Sequence, residues 1–214
     1  MKHQYLNDLG QEMPTVTTVL AQLNKPQLVA WAARLAQKGI NWEDVRNEAS
    51  EIGTIAHTMA ENFIKNQTCD FSTHPCYPKA SRAYQAFQEW NRVNKVRYLG
   101  AEIPLVHKGK KFGGTVDIIA EVNDKITLID LKTSSSLSEE YNYQVSAYKF
   151  LLENGDLTDA GLVRTFPVYQ IEQAIILRID KNSGIYEERE IHEFDTYQKI
   201  FFLLLDLWHL REET

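Results

Sequence analysis

The chain has 214 residues, 43% hydrophobic and 11% aromatic, which suits one globular domain with a sizeable core and excludes a disordered chain. A formal net charge of −6 excludes overall attraction to a polyanion and leaves nucleic-acid binding to local basic patches or bound metal. No run of about eighteen apolar residues occurs, and the first residues lack an apolar leader, so a soluble intracellular protein with no membrane partner is expected. Cys69 and Cys76 flank His74 in a polar segment. Two thiols are too few for an iron–sulfur cluster, and none is expected. A disulfide and a shared zinc stay open beside unpaired reduced thiols.

In chain order, residues 1–14 are polar, with Tyr5 and Leu6 able to dock. Thr15 caps a short helix over 16–23. Pro26 starts a second helix over 27–37, with Leu28, Trp31, Ala32 and Leu35 at helical spacing. Gly39 ends it. The next helix begins at Asn41 or Ser50 and runs to about Lys65, with His57 close to its apolar stripe. Residues 66–77 form a loop, and a helix follows over 79–95. Residues 98–107 read as a strand carrying Glu102, and Lys108-Gly109-Lys110-Lys111 makes a basic turn.

Two β-branched apolar runs, 115–122 and 125–131, then meet at Asn123-Asp124, the pattern of a tight hairpin. A hydroxyl-rich loop covers 133–138, and a helix over 139–153 is capped by Ser138 and stopped by Asn154-Gly155 in left-handed conformation. Residues 171–180 and 184–192 form a second hairpin around Asn182-Ser183-Gly184, and a long helix over 194–210 closes the chain. Trp31 and Trp208 sit on helical stripes and read as core, whereas Trp42 and Trp90 remain as stacking platforms. The expected fold is α/β: a restriction-endonuclease-like core with a mixed sheet of about five strands flanked by helices, after an N-terminal helical region. One domain spans 1–214, with helices over 1–97 and the sheet and later helices over 98–214.

The chemistry centres on residues 113–132. Asp117 and Asp130 sit in apolar strands, where a carboxylate is costly unless it is paired or bound to a cation. Lys132 follows Asp130 by two residues and shares its strand face. Phosphodiester hydrolysis needs an activated water and relief of charge on the transition state, which one or two divalent ions held by carboxylates supply. Mg²⁺ takes oxygen ligands and keeps several waters, so Asp117, Asp130 and the Leu131 carbonyl suffice, with Lys132 beside the attacking water.

Asp117…Asp130-Leu131-Lys132 resembles the D…(D/E)-x-K signature of the PD-(D/E)XK nucleases. Gly53-Thr54-Ile55-Ala56-His57 resembles the G-x-x-x-H helix of their RecB-like exonuclease branch. Gln144-Val145-Ser146-Ala147-Tyr148 resembles that branch's Q-x-x-x-Y helix, and Gly114-Thr115-Val116-Asp117 its G-x-x-D strand. The segment Pro14-Thr15-Val16-Thr17-Thr18-Val19-Leu20 is similar to small single-domain members, phage exonucleases and the mitochondrial genome maintenance single-strand exonuclease among them. Four motifs in this order are specific; each alone is weak.

The resemblance implies a Mg²⁺- or Mn²⁺-dependent deoxyribonuclease, cytoplasmic and bacterial or phage-encoded, acting on single-stranded DNA or free DNA ends and leaving 5′-phosphates. His57, Asp117, Asp130 and Leu131 would hold the metal; Lys132, Gln144 and Tyr148 would serve catalysis. An imidazole ligand favours Mn²⁺ over an all-oxygen Mg²⁺ site. Gln144 and Tyr148, at i and i+4, share one helix face, either for core packing or for contact with phosphate and strand. Glu102 reads as an outer ligand or as an exposed strand glutamate, and Glu61 as a partner fixing the His57 tautomer or as a solvated acid. Thr133, Ser134, Ser135, Lys110 and Lys111 are the candidate DNA contacts, with Lys108, Arg82, Arg92, Lys95 and Arg97 as further basic positions. A structure-specific endonuclease on the same core and a non-catalytic nucleic-acid-binding subunit are the competing readings.

Overall fold

Asn123 and Asp124 both adopt left-handed backbone, with φ of 50° and 68°, which lets a two-residue turn join β2 (Phe112–Val122) to β3 (Lys125–Lys132). Ahead of this hairpin lie α1 (Val16–Leu20), α2 (Pro26–Gln37), α3 (Trp42–Ile64), α4 (Tyr77–Val93) and β1 (Val96–His107). After it come α5 (Glu140–Asn154), β4 (Asp156–Asp159), β5 (Leu162–Arg164), β6 (Gln173–Ile179), β7 (Tyr186–Glu190) and α6 (Phe194–Glu212). The structure, a computed structural model, describes residues 4–7, 10–159, 162–164 and 169–212.

The strands form one sheet in the order β5-β4-β1-β2-β3-β6-β7. All neighbours are antiparallel except β3 and β6, which run parallel and are joined by the crossover through α5. The mixed sheet flanked by helices agrees with the expected restriction-endonuclease-like class. It has seven strands, not about five. The additional two, β4 and β5, are short strands at one edge, β4 held by pairing to β1 and β5 by pairing to β4. One apolar layer packs α1, α5 and α6 on the sheet, through Val16, Val145, Leu151, Phe201 and Leu205. The other packs α3 and α4, through Ile52, Ile55, Phe87 and Trp90. Among the described residues, no helix is long and apolar enough to cross a membrane.

Several local expectations change. One holds: of the two starts expected for α3 it is Asn41 that caps the helix, its side chain accepting from the Glu43 amide at 3.0 Å. Helix α5 is not capped by Ser138; Glu139 occupies that position without a side-chain cap bond. Gly155 is extended, at φ −95° and ψ 172°, rather than left-handed. A Cβ there would stand 2.6 Å from the Leu151 carbonyl oxygen and 2.9 Å from that of Val106, so the glycine serves a close backbone crossing. Trp90 is fully buried and hydrogen-bonded to Glu188, so it offers no stacking platform. Trp31 is not core either, since α2 buries none of its residues. Cys69 and Cys76 are both free thiols.

Candidate active site

Strand register creates the centre of the site. Ala101 pairs with Ile118 and Ile103 with Val116, which sets Glu102 opposite Asp117. Ile118 pairs with Ile129, which carries Asp117 alongside Asp130. Three carboxylates therefore occupy adjacent positions on β1, β2 and β3. Glu102 has φ of 51°, a conformation that costs about 1–3 kcal/mol outside glycine and that the pairing on both sides holds in place.

Helix α3 brings the imidazole. Gly53 lies where a Cβ would approach the Thr133 hydroxyl to 3.0 Å, so its missing side chain lets α3 settle against the end of β3. One turn later, His57 Nδ1 stands 3.8 Å from Asp117 Oδ1. Ligand atoms of His57, Glu102 and Asp117 all lie within 4.8 Å of one another. The Leu131 amide donates to Asp117 Oδ2 at 2.8 Å and fixes that carboxylate, while the Leu131 carbonyl is in hydrogen-bonding contact with His57.

Asp130 is fully buried and Lys132 Nζ lies 2.6 Å from its Oδ2, so the two side chains share one face, as their spacing requires. The ammonium also sits 4.9 Å from the centre of the Tyr141 ring. Yet neither buried oxygen of Asp130 has a hydrogen-bond donor aligned on it. Oδ1 has no partner and Oδ2 only the Lys132 ammonium, a costly position for a buried carboxylate.

The protonation pattern follows from this crowding. Burial, reinforced by Asp117 and Glu61, pushes the Glu102 carboxyl up to about 8. Burial also raises Asp130 to about 7, against the pull of Lys132 and with a further push from Asp117. Burial lowers His57, outweighing its attraction to Asp117, so the ring is neutral and able to ligate. Burial alone would lower Lys132, but Asp130 and Asp117 override it and the ammonium is retained. Three acids, one cation and one neutral imidazole leave a deficit of positive charge. A divalent ion would fit it, with the His57 nitrogen and the Glu102 and Asp117 oxygens as candidate ligands and the Asp130 carboxylate nearby.

Other predicted positions fall differently. Gln144 and Tyr148 are buried on one face of α5, and Gln144 Nε2 donates to the Tyr148 hydroxyl at 3.1 Å. Glu61 pairs with Lys65 at 2.6 Å. Ser134 Oγ donates to the Ser136 carbonyl at 2.8 Å, and Ser135 is exposed. Lys110 lies with Nζ 4.6 Å from the centre of the Phe202 ring, and Lys111 is exposed in the β1–β2 turn.

Sequence reasoning gave Glu102 an outer or incidental part, whereas it stands inside the cluster. It overlooked Arg189 entirely. From β7, that guanidinium donates to the Ser138 carbonyl and the Asn142 side chain, both at 2.8 Å, and reaches the Leu137 carbonyl at 3.4 Å. It thereby ties down the loop that leads from Lys132 to α5.

No curated protein matches the chain. The crystal structure of SSO0001 is similar over 90% of this chain and 75% of its own, at 18% identity and a TM-score of 0.41. The family model of the PD-(D/E)XK nuclease superfamily matches residues 77–209, a span that holds β1, β2, β3 and α5 with Glu102, Asp117, Asp130 and Lys132. The chain therefore belongs to the PD-(D/E)XK nuclease superfamily, metal-dependent hydrolases of nucleic acid, and carries a His/Glu/Asp cluster suited to their divalent ion.

Proposed function

We propose that this protein is a metal-dependent DNA exonuclease of the RecB-like branch, acting on single strands or free ends. The observation that carries the reading is the convergence of His57, Glu102 and Asp117 beside the buried Asp130–Lys132 pair. His57, Asp117, Asp130 and the Leu131 carbonyl would hold Mg²⁺ or Mn²⁺, with Glu102 as a further oxygen ligand. The bound ion supplies an acidified water and Lewis-acid neutralisation of phosphate charge.

The protein's own groups do the rest. Asp117 is aimed by the Leu131 amide, so its free oxygen faces the imidazole rather than rotating. Lys132 remains an ammonium and acts on developing negative charge at the phosphate; it does not take the water's proton. Its neighbours Asp130 and Tyr141 fix its position. Burial keeps the Tyr148 hydroxyl protonated, so it can donate to the strand while Gln144 orients it. Trp42, carrying Arg46 at 5.0 Å over its ring, and the uncovered α2 supply surfaces on which an unpaired strand can stack and track.

A structure-specific endonuclease is the second reading, favoured by the same catalytic cluster. Circular and linear single-stranded DNA of one sequence, incubated with Mn²⁺, separate the two. The exonuclease reading expects loss of the linear form only; rapid cutting of the circle would overturn it.

A further inference from the structure

A cavity of about 800 Å³ adjoins the metal-ligand cluster, and Glu102 belongs to both. None of the catalytic groups described above requires it apart from Glu102 and Tyr148. Its walls come from elements distant in sequence. The stretch before α1 is pinned along β2: the Gly113 amide donates to the Pro14 carbonyl at 3.0 Å, and the Tyr5 hydroxyl bonds the Thr115 hydroxyl at 2.5 Å. Two glycines make room for this. A Cβ on Gly113 would fall 2.4 Å from the Tyr5 ring, and one on Gly114 2.8 Å from the Tyr148 ring. Both rings therefore pack closely against β2. Thr15, Thr17 and Thr18 add hydroxyls, and Trp208 adds an aromatic surface from α6.

The lining selects its guest by charge. Among the described residues it contains no lysine or arginine, and Glu12 and Glu212 join Glu102 around it. A terminal phosphate placed beside Glu12 and Glu212 meets like charge, with no lysine or arginine in that lining to receive it. A nucleoside is neutral, offers a flat face to aromatic rings and has edges for threonine hydroxyls.

We propose that this cavity holds the terminal nucleoside of the strand and selects a free hydroxyl end over a phosphorylated one. This rests on the exonuclease reading above and sets its direction. The 5′-phosphate products that the family resemblance implies leave a 3′-hydroxyl on the other fragment. Digestion from the 3′ end thus regenerates the preferred terminus after each cut, whereas digestion from the 5′ end regenerates a phosphate. The protein therefore works from 3′-hydroxyl ends.

Two measurements on the full chain test this. The first follows digestion, with Mn²⁺, of internally labelled linear single strands that differ only in a 3′- or 5′-terminal phosphate. A 3′-phosphate should slow digestion about tenfold, a 5′-phosphate should change little, and Glu12→Lys should narrow the 3′ difference. Equal rates for 3′-hydroxyl and 3′-phosphate ends, or stimulation by a 5′-phosphate, would overturn the assignment while leaving the exonuclease reading intact. The second measures anisotropy of labelled five-nucleotide strands in EDTA, where no cleavage is needed. The 3′-hydroxyl form should bind about tenfold more tightly than the 3′-phosphate form; equal or reversed affinity would refute the cavity's role. Absence of digestion with every linear strand would refute the exonuclease reading instead, and the binding measurement would still decide the cavity.

Discussion

Replacing Lys132 with Met removes the cation beside a carboxylate that has no other aligned partner. Asp130 is 0% exposed and Lys132 Nζ is 2.6 Å away, so the metal-free protein has nothing else to offset that charge. Breaking a buried pair from one side costs about 3–5 kcal/mol, and that loss is expected near pH 8. In the variant, Asp130 stays protonated in the folded state, while in the unfolded state it ionises from its ordinary value of 3.8 upward. A folded-state value raised in this way gives stability that is lost as pH rises. In the parent protein Asp130 titrates at about 7, so its own loss of this kind stops there. The variant continues to lose about 1.4 kcal/mol per pH unit above that point. Urea denaturation in EDTA near pH 8, 7 and 6 should therefore show a deficit that shrinks by about 1 kcal/mol from the first to the second and by only about 0.3 kcal/mol from the second to the third. A deficit below about 1 kcal/mol near pH 8, or one that does not change with pH, would refute the buried-pair reasoning.

Glu102→Gln should weaken Mn²⁺ binding, read by calorimetry, by roughly tenfold or more, since it removes a charged oxygen ligand. The same variant should lose less melting temperature in EDTA as pH rises. Glu102 is raised from 4.5 to about 8, so the parent loses stability across that window and the variant lacks this titration. Gly155→Ala forces a Cβ against two backbone oxygens, at 2.6 and 2.9 Å, and should cost about 1–3 kcal/mol, seen as a lower melting temperature. Arg189→Met frees the loop after Lys132 and should lower kcat/KM on DNA by roughly tenfold while leaving Mn²⁺ affinity unchanged. Unchanged digestion kinetics would show that the tether has no bearing on catalysis.

What the sequence reveals here is what short-range chemistry dictates. Asn123-Asp124 between two β-branched runs prescribes a turn with positive φ at both positions, and that is the turn observed. The two-residue interval between Asp130 and Lys132 prescribes a shared face and yields a 2.6 Å contact. His57 is different: its approach to Asp117 depends on how α3 crosses the sheet, and only the motif resemblance anticipates it. Glu102 shows the boundary most clearly. Its local signal is one acid in an apolar strand, while its place in the cluster comes from cross-strand register and a left-handed residue. Gly155 misleads for a related reason, because a glycine after a helix usually marks a left-handed cap, and here it marks a crossing of two backbones. Arg189 leaves no local signal at all, since its partners lie about fifty positions away on another element, at separations of 51 and 47 residues.

The central claim is that the carboxylates and imidazole gathered on β1, β2, β3 and α3 bind a divalent ion and use it to cut DNA. It is tested most directly by digesting an end-labelled linear single strand with Mn²⁺, with EDTA, and with Mn²⁺ and the Asp117→Asn variant. The account predicts progressive loss of the strand for the parent protein with Mn²⁺ and none in the other two reactions. Equal digestion in EDTA, or by the variant, would contradict it.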